Sequence, residues 1–275
     1  MQLFKYLSPA RLDVLKSQMI CFSSADNLND PYELAPFFKG YLYDDGLRKS
    51  LVSRRDKEIE RQRGSRDEAE LERIANKMNE QIEVACGNTA ELMTRVSAGF
   101  RHNAIKHVGL LSLSVAKNHP LMWAHYGVDH TGFMMEFDAD HPFFHRGDGE
   151  QSLFGRLRKV EYSKLRPVVY CDGARLQEDI FLVKSEHWEY EAEWRMFLNL
   201  KNADYVVEDE ELGKKYHLFS YPIEAVKSVT LGCRMKDETK DAIRKILAAI
   251  PEASRPKCLI AKLHVERFEV VELEG

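Results

Sequence analysis

The sequence lacks the cysteine pattern of a secreted protein. Its five cysteines are odd in number, widely scattered and never in a C-x-x-C pair. A disulfide framework is typically built from an even and denser set, and the zinc-finger spacings are missing as well. Cys21 and Cys171 lie in apolar or mixed surroundings without basic neighbours. A thiol nucleophile is therefore not expected.

Long apolar runs are absent too. No segment approaches the ~18 consecutive apolar residues of a spanning helix, and residues 1–6 contain no apolar signal core. Together with the scattered cysteines, this predicts a cytoplasmic protein without a membrane partner. Charge of one sign is also lacking, because 40 basic and 44 acidic side chains give a formal net charge of −4. The overall charge gives no reason to expect nucleic acid.

Three common catalytic signatures are missing: the phosphate-binding loop, the dinucleotide-binding glycine fingerprint and the G-x-S-x-G elbow. What remains is the composition of an ordinary folded protein, with 44% apolar and 31% charged residues in 275. No linker rich in proline, glycine or serine divides the chain. Residues 1–275 are therefore predicted to form a single α+β domain.

The apolar spacing predicts the order of the elements. Two short β-rich segments, 3–7 and 19–23, flank a short helix. Between residues 47 and 106, apolar residues recur at spacings of three and four, which predicts a helical hairpin inserted into the domain. Its interspersed charges are typical of a solvated face, and an arm that binds a partner or nucleic acid is the alternative. Short strands predominate from residue 109, with one late helix at 237–249.

The most informative stretch is residues 184–196, KSEHWEYEAEWRM. In an extended strand alternate side chains face opposite ways, so Glu191, Glu193 and Arg195 would share one face. Carboxylates accept hydrogen bonds from hydroxyls and arginine binds phosphate by two points, so this face suits a polyhydroxylated or phosphorylated ligand. A solvated strand face whose charges neutralise one another is the alternative.

A second group lies in residues 119–130 and is rich in histidine. Its members are His119, Trp123, His125, Tyr126 and His130. They could form a metal site, an acid–base site or a platform for ring stacking, or simply pack under a loop. The five-residue separation of His125 and His130 matches no recognised zinc spacing, so no metal ligands are assigned.

A third group, residues 27–33 with the sequence NLNDPYE, is dense in turn-forming residues. Such side chains bond to their own backbone, which predicts a turn at the end of a strand. In the functional alternative, Asp30 or Glu33 borders a pocket.

Taken in order, these segments resemble a widespread bacterial family, a domain of unknown function. The resemblance covers most of the chain outside residues 47–106. It rests on LFKYL at 3–7, FSS at 22–24, NDPYE at 29–33, LSLS at 111–114, MWAHY at 122–126, TGF at 131–133 and WEYEAEWR at 188–195. A family of unknown function does not by itself imply an activity.

The order of strand, helix and strand, then a strand that ends in serine, then a strand that carries glutamate, also resembles the ADP-ribosyltransferase fold. The resemblance implies mixed small sheets that hold NAD, as substrate, in a cleft. It favours an enzyme that transfers ADP-ribose to an intracellular acceptor. Glu193 would bind the nicotinamide-ribose hydroxyl and assist an oxocarbenium-like transition state. Glu191 would stand two residues before it, and Arg195 would support a phosphate or Glu191.

The same resemblance implies further NAD contacts. Ser114 would match the serine motif. Lys5 and Tyr6 fall at the first-strand position, where that fold usually has histidine or arginine. Outside any matched motif, we expect ligand contacts from the ring-bearing side chains Trp123, His125 and Tyr126, with Trp123 or Tyr126 stacked on nicotinamide.

Two functions of other classes stay open. One is a binding or sensor module that recognises a nucleotide or nucleic acid without turnover. The other is a metal-dependent nuclease that uses residues 119–130. The expected partners are a nucleotide-like small molecule and a protein or nucleic-acid acceptor.

Overall fold

A computed structural model describes residues 1–40, 45–147, 152–170 and 178–274. The α-helices in these ranges are α1 (Asp13–Ser17), α2 (Gly46–Gln62), α3 (Glu68–Gly87), α4 (Thr89–His107), α5 (Pro120–His125) and α6 (Asp237–Ala248). The strands are β1 (Gln2–Leu7), β2 (Met19–Phe22), β3 (Phe37–Gly40), β4 (Val108–Ser114), β5 (Phe133–Asp138), β6 (Leu157–Lys159), β7 (Glu161–Ser163), β8 (Val168–Tyr170), β9 (Val183–Ser185), β10 (Glu193–Asn199), β11 (Tyr205–Asp209), β12 (Lys214–Ser220), β13 (Val226–Leu231), β14 (Lys257–Leu263) and β15 (Val270–Glu274).

Helices and mixed sheets occur together, which confirms the predicted α+β class. The chain divides into two compact units. Unit 1 comprises Met1–Glu33, Ala104–Lys164 and Leu182–Gly275, and unit 2 comprises Leu34–Asn103 and Leu165–Phe181. In the part of the chain that the structure describes, no helix combines the length and apolar character needed to cross a membrane.

Unit 2 is mainly helical. The prediction of a helical hairpin was wrong in the number of helices: a hairpin has two, whereas three helices, α2, α3 and α4, follow one another there. The first helix escaped the periodicity argument because it is strongly polar and buries only Leu47. It lies against α3, where Arg48 forms an ion pair with Glu83. A short parallel pair of strands, β3 and β8, completes the unit.

Unit 1 is built on an eight-stranded sheet in the order β15-β14-β13-β5-β1-β4-β10-β6. Its pairs are antiparallel except for β13 with β14. One face packs on α1 and α6 through a core that includes Val14, Leu15, Ile243 and Leu247. These helices bury their apolar sides on the sheet, which is the arrangement expected of an α+β domain. A separate sheet has the order β11-β12-β2.

Strand β4 changes its partner along its length. Near its end, Ser114 pairs with Phe4 of β1. Farther back, Leu110 exchanges two backbone hydrogen bonds of 2.9 Å with Ser23, which follows β2. Between these two points, Lys5 Nζ donates to the carbonyl of Ser112 at 2.9 Å. A side chain thus bridges the region where β1 and β2 separate, and this region borders the cavity described next.

Candidate functional site

A cavity of about 330 Å³ lies in unit 1. It is bordered by β1, β4 and β10, by the end of α5 and by the turn-rich segment that follows β2. Seven of the nine side chains predicted from the sequence line it: Lys5, Tyr6, Ser114, His125, Tyr126, Glu191 and Glu193. Residues more than 180 positions apart therefore meet at one site. Trp123 and Arg195 are outside its lining.

Glu193 and Arg195 share one face of β10, as the strand periodicity predicted. Arg195 Nε donates to Glu193 Oε1 at 3.0 Å, and Arg195 Nη2 donates to Oε2 at 3.0 Å. The alternative of a solvated face was wrong, because Glu193 is 2% exposed and Arg195 0%. Burial disfavours the ionised carboxyl, but Arg195 and Lys184 outweigh it and lower the pKa of Glu193 to about 2.

Glu191 reaches the same cluster by another route. The prediction that it lies on the strand was wrong: Glu186–Glu191 forms a 3₁₀ helix and β10 begins at Glu193. The turn ends at Ala192, whose φ of 43° is left-handed. Ser114 Oγ holds this turn by donating to the carbonyl of Glu191 at 2.5 Å. The Glu191 side chain then faces the cavity beside Glu193.

Lys184 is the side chain that sequence reasoning missed. It lies on β9, which pairs in parallel with β7. Its Nζ is 2.6 Å from Glu191 Oε2, 3.1 Å from Glu193 Oε2 and 3.5 Å from Glu33 Oε2. The strand pattern did not signal this role, because Glu191 lies on a 3₁₀ helix and Glu33 comes from a distant segment of the chain.

Glu33 completes the buried cluster, which confirms that the NDPYE segment borders the cavity. It accepts a hydrogen bond from Arg195 Nη2. Burial raises the pKa of the Glu33 carboxyl, and the attraction of Arg195 and Lys184 offsets this only in part. Three carboxyl groups thus share one ammonium and one guanidinium, so each side chain depends on the others for its charge.

Lys5 and Tyr6 contribute the wall formed by β1. Burial lowers the pKa of the Lys5 ammonium, and Cys21 and Glu193 oppose this shift. Tyr6 donates its hydroxyl to the carbonyl of Ala116 at 2.7 Å, and burial raises its pKa. The first-strand position is therefore filled by one basic and one aromatic side chain at the cavity.

Tyr126 and His125 lie at the end of α5. The Tyr126 hydroxyl donates to Glu191 Oε1 and accepts from Asn29 Nδ2 at 3.2 Å. Burial and the adjacent Glu191 raise the pKa of Tyr126, so the hydroxyl stays protonated. His125 is exposed, and its Nδ1 is 2.8 Å from the Tyr190 hydroxyl. Both side chains are accessible from the cavity.

Trp123 is placed for packing. Its side chain is 0% exposed. The indole meets Tyr6 edge-on at 5.2 Å between ring centroids and lies parallel to His130 at 6.3 Å. In this arrangement neither face of the indole is presented to the cavity, so the ring supports the wall that Tyr6 forms.

The other histidines of residues 119–130 make ring contacts. His119 stacks on Tyr190 at 5.7 Å between centroids. Within the described ranges, no three His, Cys, Asp or Glu side chains group as metal ligands would.

Burial raises the pKa of the Cys21 thiol, which agrees with the expectation that it is not a nucleophile. Cys171 lies outside the described residues.

Comparisons with known proteins give one match. No curated protein matches the chain, and no solved structure does. The match is to a family model described as a protein of unknown function (DUF2971), and it spans residues 122–196. That stretch contains Tyr126, Lys184, Glu191, Glu193 and Arg195. The resemblance to a family of unknown function is thereby confirmed for residues 122–196.

Proposed function

We propose that this chain is an NAD-consuming, ADP-ribosyltransferase-like enzyme that acts on an intracellular acceptor. The observation that carries the proposal is the placement of Glu193. Its carboxylate lines the cavity in the ionised form, in register with Ser114 of the neighbouring strand. An ionised carboxylate in a polar cavity suits a reaction in which positive charge develops on a sugar ring.

The reaction breaks the bond between the ribose and the nicotinamide nitrogen. The bonding electron pair leaves with nicotinamide, and positive charge develops at the ribose carbon. Glu193 stabilises that charge, while a nucleophilic atom of the acceptor forms the new bond and gives up its proton. Glu191, at the same cavity, is placed to accept this proton. Arg195 is fully buried against Glu193 and Glu33, so it supports Glu193 and not a ligand phosphate.

The size of the cavity also bears on the ligand. Binding pockets for small molecules usually measure about 300–1,000 Å³. At about 330 Å³, the cavity suits the nicotinamide-ribose end of NAD, with the adenosine end toward the rim. Lys5 also lines the cavity, outside the buried cluster, and its ammonium would attract a phosphate of the same ligand.

A specific observation favours a second candidate, a nucleotide-binding or sensor module without turnover. Both oxygens of Glu193 already accept hydrogen bonds, Oε1 from Arg195 and Oε2 from Arg195 and Lys184. A ribose hydroxyl would have to share or displace one of these donors. If it does not, the same cavity binds the ligand and leaves it intact. The metal-dependent nuclease stays a prediction.

The test compares nicotinamide release from NAD by the wild type and by Glu193→Gln, with Glu208→Gln as an exposed control. We expect the wild type to release nicotinamide and Glu193→Gln to be slower by about 10²–10³, the loss seen when one aimed polar group is removed. The Glu208→Gln rate should equal that of the wild type. Circular dichroism verifies that both variants are folded.

The other outcomes are equally distinct. Equal rates for folded Glu193→Gln and the wild type would remove Glu193 from the mechanism. A thermal shift with NAD but no nicotinamide release would identify the sensor module. If NAD causes no thermal shift and no nicotinamide is released, NAD is refuted as the ligand.

A further inference from the structure

Lys184 stands at the centre of the buried cluster. An ammonium has three hydrogens, and three carboxyl groups surround this one at 2.6, 3.1 and 3.5 Å. The indole of Trp188 covers a further side, with Nζ 5.3 Å from the ring centroid. Although Lys184 lies in the cavity wall, its charge is directed at protein groups and not at a ligand.

Arg195 cannot take over the role of Lys184. Its Nε and Nη2 already bind both oxygens of Glu193, and Nη2 also binds Glu33. In the described part of the chain, Lys184 is the one cation in ion-pair contact with Glu191. The second partner of the Glu191 carboxylate is the neutral Tyr126 hydroxyl. Glu191 therefore depends on Lys184 for its neutralisation.

We propose that Lys184 is a positioning residue: its ammonium fixes Glu191 beside Glu193, so that both carboxyl groups meet one ligand in the cavity. The inference deepens the proposed function, and its part in the reaction rests on it. Lys184 bridges two carboxyl groups, one on each side of the turn at Ala192. Without the shared ammonium, nearby carboxylates repel one another, and one carboxyl group takes up a proton.

The experiment compares Lys184→Met, Lys184→Arg and the control Lys164→Met. Lys164 is exposed and 4.0 Å from Glu186, so its removal should change nothing. The first readout is independent of catalysis: the carboxyl carbons of ¹³C-labelled glutamates are followed by NMR against pH. We expect one glutamate carboxyl group of Lys184→Met to titrate at a higher pH than any glutamate of the wild type. Lys184→Arg, which keeps the charge, should suppress that titration.

The second readout is the rate of NAD consumption. Lys184→Met should lower kcat by about 100-fold, the loss that accompanies a misplacement of about 1 Å, with a smaller change in KM. Its pH profile should acquire the titration seen by NMR. Lys184→Arg should recover part of the rate. If Lys184 only held the fold together, Lys184→Met would lose activity without a shift of its pH profile.

A charge-conserving variant guards against failure to fold. Lys184→Met combined with Glu191→Gln removes one positive and one negative charge. If Lys184 acts through Glu191, the double variant should be no slower than Glu191→Gln alone. Additive losses would overturn the inference, as would an unchanged glutamate titration in folded Lys184→Met. If the wild type does not consume NAD, the proposed function fails, and the NMR titration still decides whether Lys184 sets the state of Glu191.

Discussion

Arg195 donates two hydrogen bonds of 3.0 Å to Glu193, which lies two residues before it on the same strand. Residues two apart on a strand project from one face, so the guanidinium lies directly beside the carboxylate. Both side chains are almost completely buried. Each charge therefore requires the other, which makes the pair sensitive to substitution and to pH.

Replacement of Arg195 by methionine should destabilise unit 1. It leaves Glu193 and Glu33 buried with only Lys184 to balance them, and removing one partner of a buried pair costs about 3–5 kcal/mol. Urea unfolding at neutral pH measures the loss. The double variant Arg195→Met/Glu193→Gln should regain part of it, because no unpaired carboxylate is left at position 193.

The matched control for Arg195→Met is Arg48→Met, which breaks the two-point pair of Arg48 with Glu83 on exposed helix surfaces. Exposed ion pairs contribute little, so its urea midpoint should stay near that of the wild type. Equal losses in Arg48→Met and Arg195→Met would show that burial of the Glu193–Arg195 pair has no energetic consequence.

The depressed pKa of Glu193 predicts a loss of stability in acid. The unfolded chain protonates this carboxyl near pH 4.5, whereas the folded chain does so only near pH 2. Between these values protons favour the unfolded state, so the contribution of Glu193 is present above pH 4.5 and is lost as pH falls through 2. Its size is on the order of 3 kcal/mol.

Urea unfolding of the wild type and Glu193→Gln from about pH 5 to about pH 3 measures how the contribution of Glu193 to the free energy of unfolding changes with pH. The wild type should lose stability more steeply than the variant. Glu33 has a raised pKa, so its effect on stability depends on pH in the opposite direction: its contribution is lost as the pH rises above 4.5. Glu193 helps to raise the pKa of Glu33, so the difference between the two proteins reports Glu193 together with its effect on Glu33. Parallel pH curves would contradict the low pKa.

Strand periodicity explains how much of the site was predictable. The segment 109–114 was predicted as a strand and is β4, Val108–Ser114, because a central strand buried on both faces is a continuous apolar run. The common face of Glu193 and Arg195 followed from the same two-residue period. Such features depend on neighbours in sequence.

The rest depended on contacts that sequence spacing does not encode. Residues 188–191 alternate aromatic and charged side chains as a strand would, yet they belong to a 3₁₀ helix, Glu186–Glu191, that is followed by the left-handed Ala192. Lys184 also contacts Glu33, which is 151 positions away in the sequence. Trp123 was expected at a ligand, but a large aromatic side chain gains more by full burial.

Gly132, just before β5, should tolerate no side chain. A Cβ there would lie 2.0 Å from the carbonyl oxygen of Leu7 and 2.9 Å from that of Gly127. Both are backbone atoms, so the chain has to shift. We expect Gly132→Ala to lower the free energy of unfolding by about 1–3 kcal/mol or more, as overpacked substitutions do.

Gly99 provides the matched control for Gly132→Ala. It lies on the exposed side of α4, and an added Cβ would meet nothing within 4 Å. Because alanine favours a helix over glycine by about 0.5–1 kcal/mol, Gly99→Ala should unfold at the same or a higher urea concentration than the wild type. A similar response in both alanine variants would mean that the close approach at Gly132 is not maintained in solution.

Removal of the Tyr126 hydroxyl tests the outer end of the buried cluster. Tyr126→Phe deletes the hydroxyl that donates to Glu191 and accepts from Asn29. Lys184 is then the remaining side-chain partner of the Glu191 carboxyl group among the described residues. A hydrogen bond to a charged group contributes about 1.5–3 kcal/mol, and urea unfolding should show a loss of that order. Asn29→Ala removes only the neutral bond to the same hydroxyl, so its loss should be smaller. If Tyr126→Phe unfolds at the same urea concentration as the wild type, the hydrogen bond from the Tyr126 hydroxyl to Glu191 contributes nothing to stability.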